Sequence, residues 1–189
     1  MSYYKHARKQ YEQPKENLGE VWKQRLQKWR EEGTIEKVDN PTRIPKARQL
    51  GYKAKNGFNI FRVRINKGGS KRKRPSGGRT PKAYGQSRYS SKKSKRVIAE
   101  QKVSKKYSNL EVLNSYYVAE DGNHKWFEVI MFDPEHPEIK AEDSINTEKR
   151  NRAEEGLTPA ARESRGLNNR GKGAEKIRPS QNANDGKGK

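Results

Sequence analysis

In this chain of 189 residues, 44 Lys and Arg outweigh 23 Asp and Glu, a formal net charge of +21, and only 29% of residues are hydrophobic. That apolar share is well under the usual ~45–50%, so one core cannot fill the whole chain, and a body of roughly 100 residues with long irregular arms is expected. The chain has no cysteine, which excludes disulfides, cysteine zinc sites and thiol chemistry. Its sequence also has no apolar run of about 18 residues to cross a bilayer and no apolar signal-peptide core in MSYYKHARKQ, so a soluble intracellular protein with a polyanionic partner is expected.

Tyr3, Tyr4, Ala7 and Tyr11 recur at helical spacing, which predicts a short helix with an aromatic stripe, interrupted at Pro14. NLGEVWKQRLQKWREEG follows, and its Leu18, Trp22, Leu26 and Trp29 fall on one helical face. This predicts a helix over 17–32, capped by Asn17 and ended by Gly33 in a left-handed conformation. The stripe reads as core rather than as a base-stacking surface, because each large side chain gains ~1.5–3 kcal/mol by burial. In PTRIPKARQLGYKAKNG, Pro45 fits the first turn of a short helix and Gly51 its end.

FNIFRVRI, residues 58–65, alternates Phe61, Val63 and Ile65 with Arg62 and Arg64, the pattern of a half-buried strand presenting two guanidinium groups on its other face. Residues 66–96 follow, rich in Gly, Pro and cations, and cannot sustain helix or sheet. A helix is predicted near 92–106 with Val97 and Ile98 inward. Strands are predicted over 110–118 and 124–132, joined at Asp121-Gly122. These elements predict an α+β fold: a small, mostly antiparallel sheet packed with helices, plus a long extended basic arm and a C-terminal tail. The division is a body over 1–137 with an irregular basic insertion at 66–96, then an extended polar tail over 138–189 with at most short helices.

The charge is concentrated. Between Asp39 and Glu100 lie sixty residues without a carboxylate, holding nineteen of the 44 cations and leaving 25 basic against 23 acidic residues elsewhere. Lys71, Arg72, Lys73 and Arg74 sit within about one Debye length, ~8 Å, so the segment repels itself and orders only against dense negative charge. Phosphates supply that charge, with counterion release as the driving force. Lys67, Lys71, Arg72, Lys73, Arg74, Arg79, Lys82, Arg88, Lys92 and Lys93 are the candidate phosphate contacts, with Tyr84 and Tyr89 able to stack on unpaired bases. The competing reading is a solvated linker or an import signal. Charge does not distinguish RNA from duplex DNA, so a chromatin-type DNA binder stays open at this point.

Other motifs carry less. GLNNRGKG, residues 166–173, resembles a phosphate loop, but Gly173 replaces the hydroxyl that would hold magnesium and no strand precedes it. His6, His124 and His136 are scattered, and DPEHPE is set as a turn by its prolines. No nucleophile, base and orienter come together, so no enzyme, metal or cofactor is expected.

Three stretches carry a family resemblance: PTRIPKARQLGYKAKNG (41–57), VLNSYYVAEDGNHKWFEVIMFDP (112–134) and GLTPAARESRGL (156–167), with GKGAEKIRPS (171–180) similar to archaeal members. Together they resemble large-subunit ribosomal protein fifteen of the archaeal–eukaryotic type, which is unrelated to the bacterial protein of that number. The resemblance implies a cytoplasmic, structural ribosomal protein that is monomeric in the ribosome. Its partners would be large-subunit ribosomal RNA and neighbouring ribosomal proteins, with no membrane. It also implies RNA contact at Arg43, Lys46, Arg48, Tyr52, Lys53, Lys55, Arg62, Arg64, Arg162 and Arg165. The chain departs from the family pattern at Ala119, where Gly is usual, and over 140–155, KAEDSINTEKRNRAEE, whose acid content points to a solvent-facing stretch.

Overall fold

The computed structural model describes residues 3–69, 73–85, 91 and 93–168. Helices α1 (Tyr3–Gln10) and α2 (Pro14–Glu31) are followed by strand β1 (Ile35–Val38), helix α3 (Ile44–Gln49) and strand β2 (Phe58–Asn66). After a 3-10 turn at Pro81–Ala83 come α4 (Lys95–Lys106), β3 (Glu111–Glu120), β4 (His124–Phe132), α5 (Pro137–Lys140) and α6 (Pro159–Ser164). The strands form one antiparallel sheet in the order β1-β2-β4-β3. The α+β class expected from the sequence is therefore the one observed.

Strand alternation sorts the side chains into two layers. Phe61, Val63, Ile65, Phe127, Val129 and Met131 pack on Ala99 and Val103 of α4. On the opposite face, Trp126, Ile130, Tyr116 and Val118 pack on Trp22, Leu26 and Trp29 of α2 and on Ala47 of α3. Both tryptophans of α2 are 3% exposed, so the stripe is core, and the Trp29 ring centroid stands 6.2 Å from that of Trp22 and 6.1 Å from that of Trp126. β2 is covered on both faces, not one: Ile60 is 2% exposed, and Arg62 lies beneath α2.

The helix ends differ from expectation. α2 begins at Pro14 and is broken at Gly19, whose φ of 48° is non-helical. Asn17 does not cap α2; its Nδ2 donates to the Lys9 carbonyl at 2.8 Å and so satisfies the end of α1. Gly33 is not left-handed, and the backbone N–H of Glu32 closes α2 on the Lys28 carbonyl instead. Gly51 does end α3 with a φ of 99°. The β3–β4 turn is held by the Asp121 carboxylate, which accepts from the backbone N–H groups of Asn123 and His124 at 2.8 and 2.6 Å.

β1 is the strand that the sequence reading lacks. IEKV has no apolar run, and only its pairing with β2, Ile35 opposite Val63, fixes it as a strand. After Glu138 few apolar residues remain, but among the described ones five are buried. Ile139 and Ile145 pack on Phe132, Ala153 joins the α4 layer, and Ala160 and Ala161 close on Val97. Residues 169–189, including most of the loop-like GLNNRGKG, lie outside the described residues.

Candidate nucleic-acid interface

The cationic surface is positioned from the middle of the sheet. Glu128, opposite Arg62 and Tyr116 in the strand register, is fully buried. Its carboxylate accepts from the Thr42 backbone N–H at 3.0 Å, from the Thr42 hydroxyl and from the Tyr116 hydroxyl. Burial pushes the Glu128 carboxyl above its ordinary value, against the pull of these donors and of Arg62. Thr42 passes the constraint on: its carbonyl accepts from the Tyr11 hydroxyl at 2.8 Å, and Arg25 Nη1 donates to the same hydroxyl at 3.1 Å. α1 and the start of α3 are thus tied through Thr42 to one buried carboxylate.

On this support, Arg43 sets its guanidinium 5.4 Å over the Tyr11 ring and donates to the Tyr117 carbonyl at 3.1 Å. Lys46 and Arg48 project from α3 and are exposed. Arg48 donates to the Tyr4 hydroxyl, with its guanidinium 5.7 Å above that ring.

The remaining candidates divide by what they already touch. Lys53 and Lys55 are exposed but share Glu142, at 2.6 and 3.6 Å, and the Lys53 hydrogen bond holds the Glu142 carboxyl below its ordinary value. Tyr52 is half-buried, its ring edge-on to Phe58 at 6.0 Å, so it packs into the body. Arg62 does not present its guanidinium outward. That group lies 4.4 Å over Trp29, donates to Glu32 at 2.8 Å and stands 3.9 Å from Glu128. The reason is the α2 layer over this face, which makes the alternate position interior. Arg64 is half-buried and donates to the Arg30 carbonyl, and Lys67 pairs with Glu120 at 3.0 Å.

In the arm, Lys73, Arg74, Arg79 and Lys82 are exposed and Tyr84 is half-buried. Arg79 donates to the Gly77 carbonyl and Lys93 to Gln101 at 2.9 Å. Lys71, Arg72, Arg88, Tyr89 and Lys92 lie outside the described residues. Arg162 is exposed on α6, whereas Arg165 folds back onto the carbonyls of Glu155 and Gly156 at 3.4 and 3.3 Å.

The sequence reading misses Lys5, Arg8 and Lys9 of α1, which the fold brings beside α3. A signal existed: YYKHARKQ contains no acid. It also misses the buried glutamates, Glu100, Glu111 and Glu128, because a lone Glu inside a strand or helix pattern reads as a surface position. Among the described residues there is no group of three or more His, Cys, Asp or Glu able to hold a metal ion, and no helix is long and apolar enough to cross a membrane.

Compared with known families, the chain matches the one described as Ribosomal L15 over residues 2–184. Proteins named large ribosomal subunit protein eL15 from two strains of Halobacterium salinarum are each 48% identical over 187 residues, covering 96% of this chain and 95% of theirs. The protein of the same name from Haloarcula marismortui is 43% identical over 193 residues, covering 100% of this chain and 98% of its own.

Proposed function

The chain belongs to the Ribosomal L15 family, in its archaeal eL15 branch, and from that premise we infer how it serves as a structural constituent of the large ribosomal subunit. It is not an enzyme; it works in the cytoplasm as a component of the ribosome, associated with ribosomal RNA and other ribosomal proteins. The observation that carries this is the match over nearly the full length of both chains. No observation favours the duplex-DNA reading.

The folded body docks on RNA, and the acid-free run between Asp39 and Glu100 neutralises phosphates that would otherwise repel where RNA helices meet. Within that run the contacts fall to side chains that the fold leaves outward: Lys46 and Arg48 on α3, and Lys73, Arg74, Arg79 and Lys82 on the arm, with Arg162 beyond it. Lys71, Arg72, Arg88 and Lys92 extend the same set by charge. Lys53, Lys55 and Lys67 join by exchanging a carboxylate for a phosphate. Arg62 supports the body from within. Sedimentation of a tagged copy from a cell extract tests the assignment. Co-migration with large subunits is expected, and a protein that stays at the top of the gradient overturns it.

A further inference from the structure

Several cations beside the sheet already face a carboxylate: Arg62 has Glu32, Lys67 and Lys125 have Glu120, and Arg30 has Asp121. The α1–α3 face is different. Neither helix contains an acidic residue, and Lys5, Arg8, Lys9, Lys46 and Arg48 are all exposed. Among the described residues, none of these five forms an ion pair. Between the two helices lies a cleft of about 230 Å³, with Arg8 on one wall, Arg43 and Lys46 on the other, and Tyr11 between them. Among the described residues, Glu12 is the only acid in its lining.

The walls are fixed before any ligand arrives. Tyr11 is bonded to Thr42 and Arg25, and Thr42 is bonded to buried Glu128. Like charges brought together cost ~1 kcal/mol per pair at 4 Å even in bulk water, so a rigid cationic cleft favours an anion. The volume suits a phosphodiester. It is too small for a partner protein's helix, which is ~10 Å across.

We propose that the α1–α3 cleft seats a backbone phosphate of the ribosomal RNA, with Arg8, Arg43 and Lys46 around it and Lys5, Lys9 and Arg48 following the same strand. The proposal rests on the RNA-binding reading above and adds α1 to it. Tyr3, 66% exposed on α1, stands at the end of this track, where a splayed base could lie on its ring.

The test uses the full chain and a transcript of large-subunit ribosomal RNA, with affinity measured across a salt series. For Arg8→Ala/Lys46→Ala the slope of log K against log salt falls by about 1.5, and affinity at 0.15 M salt drops roughly tenfold or more, since each lost phosphate contact removes ~0.7–0.9 from the slope. The charge-preserving Arg8→Lys/Lys46→Arg variant keeps the wild-type slope. Fluorescence of Trp22 and Trp29, buried nearby, reports whether each variant is folded. A photo-cross-linking residue at Gln49, on the cleft rim, captures the RNA in an otherwise native chain. Salt-independent or absent binding by the wild type would sink the RNA reading itself. Wild-type binding with an unchanged slope in the alanine variant, or no cross-link from position 49, overturns the cleft alone.

Discussion

Two residues in the interior carry consequences out of proportion to their size. Burial raises the carboxyl pKa of both Glu128 and Glu100, despite donors on each. A group that holds its proton more tightly when folded than when unfolded stabilises most below its unfolded value, and that contribution is lost as pH rises through the folded value. The melting temperature of the isolated protein is therefore expected to fall as pH climbs above the ordinary carboxylate range, and Glu128→Gln is expected to flatten that fall. A profile unchanged by the substitution would mean that Glu128 titrates normally. Glu142 works in the opposite direction: Lys53 lowers its pKa, so its exposed pair is lost as pH falls below the ordinary range. Gly57 is a further sensitive point. Its φ is +88°, and an added Cβ would stand 2.6 Å from Ile139 Cγ1 and 3.0 Å from the His136 ring. Gly57→Ala is expected to destabilise the fold by about 2–4 kcal/mol, combining left-handed strain with overpacking, as read by denaturant unfolding.

Among the elements, the short helix α6 shows how the C-terminal segment is held. The Thr158 hydroxyl accepts from the Ala161 N–H at 3.3 Å and donates to Glu100 at 2.5 Å, while the Ser115 hydroxyl donates to the other Glu100 oxygen. One side chain thus caps α6 and locks it to Glu100 of α4, which in turn holds Ser115 of β3. Thr158→Val is expected to cost about 1–3 kcal/mol by removing the cap and leaving a buried carboxylate short of a donor. Hydrogen exchange should speed up at Ala161 and Arg162 while β4 stays protected; equal acceleration everywhere would mean α6 is not a separate unit. This latch was not legible in the sequence, because Ala160 and Ala161 look neutral and Glu100 looks exposed until α4 and α6 meet. By contrast, α2, β2, β3 and β4 were legible, since apolar spacing alone orients Trp22, Trp29, Phe61 and Val63. Arg62 marks the limit of that method. Alternation places it opposite the apolar face correctly, but only the arrival of α2 decides that the opposite face is also interior.

At the scale of the whole molecule, the fold answers the charge imbalance in two ways. Acids from the second half of the chain reach back to pair with the first: Glu142 with Lys53 and Lys55, Glu120 with Lys67. The second is segregation: residues 40–99, which include α3 and the arm, contain no carboxylate of their own. On the function proposed above, the run between Asp39 and Glu100 is the RNA-facing side of the protein, and the exposed Lys140 and Lys149 of the acidic 140–155 stretch lie outside it. Lysine acylation followed by mass spectrometry, comparing intact large subunits with the free protein, tests this most directly. Lys46, Lys73, Lys82 and Lys93 are expected to be protected in the subunit while Lys140 and Lys149 stay reactive. Equal reactivity of those four lysines in both states would contradict the account.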